Sequence, residues 1–355
     1  MEYLSRRAAV LAAARAQGAD ALLVTKLTSI RYLTGFTGTA GVLLLADRPL
    51  LVVDFRYGAQ AREQADVDVE GDCAPPRLWP TALERLPRAG TLGVDTRNLT
   101  AEQYLSLVDT VGADAIVACP GAVERLRAVK DAEELVALRD AADLAEELIR
   151  RLPGWLRPGR TENEIAGEIE FAQRHLGAER SAAPILVSSG ERSVLPHGQA
   201  SARVLRAGDP VVVDLSPVVR GYRADLTRTF HLGAAPPQYR RLHDAVIEAH
   251  GRAMAAVRAG VRASAVDAVA RSTLAGHGLD GYFRHSTGHG IGLDQHEPPL
   301  LSPYDDTVLE AGMVVMIEPG VYVPGVGGTR LEDAVLVTED GCTPLTTSDP
   351  ALREI

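Results

Sequence analysis

Along the chain, the first regular alternation of apolar and polar positions is an alanine-rich stretch from Ser5 to Gln17, closed by Gly18 and followed by the apolar run Ala21 to Val24. A glycine stop between a helical period and a short apolar run predicts a helix leading into a strand. Val42 to Leu45 and Leu50 to Asp54 are β-prone runs joined by the turn Asp47-Arg48-Pro49, and a helix rich in Ala, Gln and Glu follows. Leu92 to Val94 and Ala115 to Val117 supply later strands, and Thr100-Ala101-Glu102-Gln103 has the form of a capping box. Pro120-Gly121 then breaks the pattern. From Val123 to Leu152, apolar residues at Leu135, Leu138, Ala142, Ala145 and Ile149 predict one long amphipathic helix. The domain boundary is placed there, with an α/β domain at residues 1–122 and a second domain at 123–355.

The second domain repeats itself. Val211-Val212-Val213-Asp214 leads through a turn at Arg220-Gly221 to Asp225 and the run Leu226 to Phe230, which reads as a hairpin carrying two carboxylates. Met313 to Glu318 and Gly328 to Val335 follow the same plan. Gly208 lies six before Asp214 and Gly312 six before Glu318, while Gly221 lies four before Asp225 and Gly328 four before Glu332. Arg223 and Arg330 correspond as well. At a constant offset of 101, Arg157-Pro158-Gly159 before Ile165 and Gly177 matches Arg258-Ala259-Gly260 before Val266 and Gly278, so each copy opens with a turn and an amphipathic helix. Two such units about a pseudo-twofold axis would gather Asp214, Asp225, Glu318 and Glu332 in one cleft.

Aspartates buried in strands are costly unless something positive neutralises them. Four carboxylates near 4 Å apart, at an effective dielectric near 20, would repel by about 4 kcal/mol per pair. One solution is pairing with Arg223, Arg228 and Arg330. The other is a pair of divalent ions, and His289, set among glycines in Gly288-His289-Gly290, would then be a fifth ligand. Oxygen ligands with one imidazole favour Mn²⁺, with Zn²⁺ or Co²⁺ as alternatives. Such a centre implies hydrolysis, because paired ions acidify water and polarise a carbonyl. His197, ahead of the first hairpin in Pro196-His197-Gly198, is a further candidate; His175, His231, His243, His250 and His277 are assigned no role.

Composition narrows the picture. The chain has 355 residues, 46% hydrophobic and 24% charged, enough for two domains and a substantial core. A net charge of -10 argues against nucleic acid as a partner. Cys73, Cys119 and Cys342 are widely spaced and form no Cys-x-x-Cys, so neither a disulfide framework nor a thiolate metal site is expected, and a reducing cytoplasm fits. Ser5-Arg6-Arg7 has the look of a twin-arginine signal, but Arg15 and Gln17 interrupt the apolar run behind it. No run approaches a membrane span, and no membrane partner is expected.

These residues resemble the pita-bread metallopeptidases, in the proline-specific branch that contains prolidase and aminopeptidase P. The likeness spans nearly the full length. It rests on Pro196-His197-Gly198, Asp214, Asp225-Leu226-Thr227-Arg228-Thr229, Gly288-His289-Gly290-Ile291-Gly292, His296-Glu297, Ile317-Glu318-Pro319-Gly320 and Arg330-Leu331-Glu332-Asp333. The resemblance implies a two-domain α/β chain: a creatinase-like N-terminal domain, its likeness carried by Arg31 to Phe36 and Asp54 to Tyr57, and a pita-bread α+β catalytic domain with an internal pseudo-twofold repeat. It also implies that Asp214 binds one metal through both oxygens, that Asp225 and Glu332 bridge the pair, and that His289 and Glu318 complete the other. By the same likeness Glu318 shuttles a proton, His197, His285 and His296 line the substrate cleft, and Arg330 supports the carboxylates.

The implied activity is removal of the residue before proline from a small peptide, leaning to dipeptides, with aminopeptidase P action on longer peptides as the alternative and a non-catalytic binding protein as a remote one. A homodimer is the expected assembly. Ser216 and Ser286 depart from the family pattern without removing a ligand. Pro324 stands near where some dipeptide-cleaving relatives supply an arginine for the substrate carboxylate, which leaves Arg48 and Arg56 as candidates for that role.

Overall fold

A computed structural model describes residues 3–86 and 90–355. The chain divides into two compact units, Met1–Arg127 and Ala128–Ile355. In the first, the elements run α1 (Tyr3–Ala16), β1 (Ala21–Val24), α2 (Leu27–Thr34), β2 (Val42–Leu45), β3 (Leu50–Asp54), α3 (Gly58–Gln64), β4 (Asp68–Cys73), α4 (Leu78–Glu84), β5 (Leu92–Val94), α5 (Ala101–Val111), β6 (Ile116–Ala118) and α6 (Ala122–Ala128). The strands form one mixed sheet in the order β4-β3-β2-β1-β5-β6. Leu23, Val42, Leu44, Val52, Leu92, Val94 and Leu107 pack its core. The capping box forms: the Gln103 amide donates to Thr100 Oγ1 at 3.1 Å, and the Thr100 amide to Gln103 Oε1 at 3.0 Å. Arg6 and Arg7 are buried, with Arg7 donating to the Leu33 carbonyl at 2.9 Å and pairing with Asp66 at 2.5 Å.

The expected single helix from Val123 to Leu152 is interrupted. α6 ends at Ala128, and a separate helix, α7, runs over Ala132–Trp155. Long-range pairing opens the gap: Val129 bridges to Met313, and the Lys130 amide donates to the Gly312 carbonyl at 2.9 Å. Asp131, extended at φ -80 and ψ 175, then starts α7 as its N-cap, in a capping box with Glu134.

The second unit continues with α8 (Glu162–His175), β7 (Arg180–Ser181), β8 (Leu186–Ser189), β9 (Pro210–Leu215), β10 (Pro217–Val219), β11 (Tyr222–Arg223), β12 (Leu226–His231), α9 (Pro237–Ala256) and α10 (Ala263–Gly276). Its strands after that are β13 (Gly288–Gly290), β14 (Glu297–Leu301), β15 (Val314–Ile317), β16 (Gly320–Val323), β17 (Gly327–Arg330), β18 (Asp333–Val337), β19 (Cys342–Pro344) and β20 (Arg353–Glu354). Two sheets organise it, β20-β12-β9-β8 and β14-β13-β15-β18-β19.

The repeat is visible in the packing. Leu148 and Ile149 of α7 and Ile165 and Ile169 of α8 cover Val211, Val213, Leu226 and Phe230 of the first sheet. Val246 and Ala249 of α9 and Val266 and Ala270 of α10 cover Val315, Ile317, Val335 and Val337 of the second. Side chains alternate along a strand, so burying Val211, Val213 and Leu215 against the helices turns Asp214 to the opposite face. The first hairpin closes at Arg220 (φ 51) and Gly221 (φ 83), a two-residue turn that requires positive φ at both positions, between paired Val219 and Tyr222. The second copy differs. Val323 pairs with Gly327 across a longer connection at residues 324–326, and Gly328 lies inside β17. The two halves meet where the Glu332 amide donates to the Thr227 carbonyl at 3.2 Å.

Candidate metal centre

A cleft of about 250 Å³ in the second unit is lined by Asp214, Asp225, Glu318 and Glu332 together with His197, His285, His289, His296 and Arg330. Every site residue singled out in the sequence of this domain therefore borders one space. Asp214 comes from β9, Asp225 from the β11–β12 connection, Glu318 from the end of β15 and Glu332 from the β17–β18 connection. His289 is central to β13, where Gly288 permits the approach of β15: a Cβ on Gly288 would sit 1.8 Å from the Met316 carbonyl oxygen. A larger cavity of about 810 Å³ in the first unit holds no comparable chemistry, because its charged side chains pair with one another as Arg7–Asp66, Arg15–Asp47 and Arg48–Asp68.

The donor set fits divalent cations. Single ligand atoms of Asp225, His289 and Glu332 all lie within 4.8 Å of one another. His289 Nδ1 is 3.0 Å from the Gly290 carbonyl, which commits that nitrogen as the donor and leaves the Nε2 lone pair facing Asp225 at 3.8 Å and Glu318 at 3.7 Å. A lone pair directed at two carboxylates is repulsive unless a cation lies between them. Burial pushes the His289 imidazole down to about 3, and the neighbouring His296 ring, 4.1 Å away between centroids, adds to the effect, so the ring is a neutral ligand.

The carboxylates tell the same story. Burial, then repulsion from Asp214 and Glu318, holds the Asp225 carboxyl well above its ordinary value; burial and then Asp225 do the same to Glu332. Burial raises Glu318 to about 7, against the lowering influence of Arg330. The arginine solution weighed from the sequence is adopted for Asp214 alone among the four acids. Arg330 pairs with Asp214 at 2.5 Å, and Arg228 with Asp333 at 2.7 Å, so among the described residues Asp225, Glu318 and Glu332 have no lysine or arginine partner.

Several supporting contacts had no signal in the sequence. Thr227 Oγ1 donates to Glu332 Oε2 at 2.7 Å, Gln295 Nε2 donates to Asp225 Oδ2, and Ser216 Oγ lies 3.4 Å from Asp225 Oδ1. Tyr322 links two cleft residues, its hydroxyl 3.2 Å from His285 Nε2 and accepting from Arg330 Nη1 at 3.0 Å. The tyrosine lies in the β16 run, where nothing local distinguishes it from a packing residue. In the first unit Arg56 is held by Asp54 through Nε at 2.9 Å and Nη2 at 2.8 Å, and Arg48 reaches Asp68 at 3.5 Å.

Residues 136–339 match metallopeptidase family M24, and residues 6–129 match the creatinase/prolidase N-terminal domain. The chain belongs to metallopeptidase family M24. It is 32% identical over 336 residues to the Xaa-Pro dipeptidase of Pyrococcus furiosus, covering 94% of this chain and 95% of that one. The Xaa-Pro dipeptidase structure from Bacillus anthracis superposes with a TM-score of 0.94 at 36% identity over the whole of both chains. An X-Pro aminopeptidase structure from Thermotoga maritima gives 0.91 at 31% identity, covering 98% of this chain and 99% of that one. The expected creatinase-like domain followed by a pita-bread domain is thereby borne out, and membership in M24 makes the chain a metallopeptidase, which implies divalent metal ions.

Proposed function

We propose that this M24 peptidase is a dinuclear Xaa-Pro peptidase that releases the residue before proline from small peptides, with dipeptides favoured. The observation that carries this is the single cleft where three carboxylates without lysine or arginine partners surround a neutral imidazole. The relatives named as Xaa-Pro dipeptidases support the substrate class. Asp214, Asp225, His289, Glu318 and Glu332 would hold the metals, with Mn²⁺ preferred over Zn²⁺ or Co²⁺ by the four oxygen-bearing residues. Residues 1–122 and 123–355 serve as the creatinase-like and catalytic domains, the protein works in the cytoplasm, and the assembly is a homodimer.

When bound, the divalent ions supply Lewis acidity and lower the pKa of water toward about 7. Glu318, whose carboxylate lies 3.7 Å from His289 Nε2 in the cleft, would accept a proton and return it to the leaving proline nitrogen. Burial, followed by Arg330, drives His285 down to about 4, and burial followed by His197 lowers His296; the neutral His285 ring, with Nδ1 donating to the Ser286 carbonyl and Nε2 facing the Tyr322 hydroxyl, would brace that tyrosine, while a neutral His296 would be able to donate to a carbonyl or a developing oxyanion. Arg330 donates to Asp214, Tyr322 and the Pro196 carbonyl, holding three walls of the cleft in register.

The test is hydrolysis of Ala-Pro, Ala-Pro-Ala and Ala-Ala by metal-stripped protein resupplied with Mn²⁺. Cleavage of the two proline peptides but not Ala-Ala, lost in Asp225→Asn by more than about 100-fold, exceeding the usual outer-shell effect, is expected. Cleavage of Ala-Ala at an equal rate, or an Asp225→Asn variant as active as the wild type, refutes the reading. A second reading, an Xaa-Pro aminopeptidase for longer peptides, is favoured by the likeness to the Thermotoga maritima structure and predicts faster cleavage of Ala-Pro-Ala.

A further inference from the structure

Three of the four acids in the metal cleft are held by a donor from the opposite copy of the repeat. Asp214, in the first copy, takes Arg330 from the second at 2.5 Å, and Glu332, in the second, takes Thr227 from the first at 2.7 Å. Asp225, in the first copy, takes the side-chain amide of Gln295 from the second. Gln295 lies in the connection between β13 and β14, so the hairpin that carries His289 into the cleft also reaches across to an acid of the other copy.

That connection is firmly anchored. Glu297, where β14 begins, accepts from the Asp294 amide at 2.9 Å and lies 3.6 Å from Lys130 Nζ, with the two side chains 3% and 1% exposed. The Gly292 amide donates to the Asp294 carbonyl at 3.1 Å, and the Gly292 carbonyl accepts from the Arg223 amide at 3.0 Å, tying the connection to the strand that leads to Asp225. A Cβ on Gly292 would lie 2.9 Å from Glu297 Oε1, so a side chain there would crowd the anchor.

The orientation of the Gln295 amide follows from its partner. Nε2 faces Asp225 Oδ2, because the reverse orientation would set two acceptors against each other. This leaves Gln295 Oε1 buried and without a hydrogen-bond partner among the described residues. A buried acceptor left unpaired is destabilising and rare. An apolar side chain of the same length would avoid that cost, so packing does not account for an amide here, whereas the donor on Asp225 does. An N–H on Oδ2 fixes the rotation of the carboxyl group and still leaves lone pairs on both oxygens for cations.

Resting on the reading of this cleft as a metal centre, the geometry points to Gln295 as a positioning residue that orients Asp225 for metal binding. It locks an acid of one copy to the hairpin that brings His289 from the other. Groups hydrogen-bonded to metal ligands in this way typically account for about 10- to 100-fold in metal affinity.

The experiment titrates metal-stripped full-length protein with Mn²⁺ by calorimetry, comparing wild type, Gln295→Met and Asp225→Asn, and adds the Tm of each metal-free protein and the KM for Ala-Pro at saturating Mn²⁺. In Gln295→Met the apparent Kd for Mn²⁺ should rise about 10- to 100-fold. The metal-free Tm should stay within about 2 °C of wild type, since loss of the donor to Asp225 is set against removal of the orphaned Oε1. KM should be unchanged, because Gln295 acts through Asp225 and not on the peptide. An unchanged Kd in Gln295→Met, with binding lost in Asp225→Asn, overturns the role of Gln295 and leaves the metal centre intact. A raised KM at saturating Mn²⁺ overturns it too, by making Gln295 a substrate contact. If Gln295→Met melts well below wild type, Gln295→Asn, which keeps the amide but shortens its reach by one methylene, is judged by the same Kd and KM. A wild type that binds no Mn²⁺ overturns the metal-centre reading, and the inference with it.

Discussion

Replacing Arg228 with methionine tests how the second unit holds Glu332 in place. Arg228 lies on β12, and its Nη1 donates to the Glu332 carbonyl at 2.8 Å and the Thr227 carbonyl at 2.9 Å. Its Nη2 donates to Asp333 Oδ1 at 2.7 Å and the Ser348 carbonyl at 2.6 Å. Both side chains are almost wholly buried, at 4% and 6% exposure. Burial alone would raise the Asp333 carboxyl, but the close approach of His250 and the charge of Arg228 together lower it. Removing one partner of a buried pair costs about 3–5 kcal/mol, because the remaining charge is left uncompensated.

His250, 3.1 Å from Asp333, still faces that charge in the variant, so the low end, about 3 kcal/mol, is expected. At about 2–4 °C per kcal/mol for a unit of this size, Tm should fall by roughly 6–12 °C. The double variant Arg228→Met/Asp333→Asn removes both charges and should be less destabilised than the sum of the single variants by about 1–3 kcal/mol. Thermal and urea unfolding followed by circular dichroism measure both quantities. A Tm within 2 °C of wild type, by the ~2 °C per kcal/mol scale, or strict additivity in the double variant, would refute the reasoning.

Two further outcomes follow from the structure. Gly288→Ala places a Cβ 1.8 Å from a backbone oxygen that no rotamer change can move, so β13 must shift from β15 at a cost of about 3 kcal/mol; Mn²⁺ affinity by calorimetry should weaken with the displaced His289, and unchanged affinity would contradict the account. His243, between Thr329 Oγ1 at 2.7 Å and the Pro350 carbonyl at 2.9 Å, is held below its ordinary pKa by burial, which outweighs the raising effect of that carbonyl. The folded chain therefore binds fewer protons than the unfolded one, and this stability is lost as pH falls below the unfolded value of 6.5 toward the folded one. The Tm difference between wild type and His243→Gln should narrow between about pH 7.5 and 5.5, and a difference that widens would refute it.

Much of this chain was legible before its folding was considered. The helix and strand runs of the first unit, the capping box at Thr100 and the turn at Arg220-Gly221 all depend on residues within a few positions of one another, and local patterning reports them well. The duplicated spacing of Asp214 and Asp225 with Glu318 and Glu332 was equally readable, because a repeated fold must repeat its glycines and its turns. The repeat and the glycine-flanked loop named the four acids and His289, His197 stood out between Pro196 and Gly198, and the family resemblance added His285 and His296.

What the pattern along the chain could not decide was the allocation of partners. Arg223, Arg228 and Arg330 look alike in sequence, yet Arg330 takes Asp214 and Arg228 takes Asp333, 105 residues away. The helix expected across residues 123–152 is broken at Val129 to Asp131 by pairing with Gly312 and Met313, a contact with no local trace. The contacts of Gln295 with Asp225 and of Thr227 with Glu332 emerge in the same way. The type of each element and the identity of the metal-ligand candidates belong to the sequence, because they rest on short-range periodicity and spacing. Which charge is neutralised, and which is left for a metal or a substrate, belongs to the tertiary structure, because burial sets the strength of an ion pair and only packing brings its two halves together.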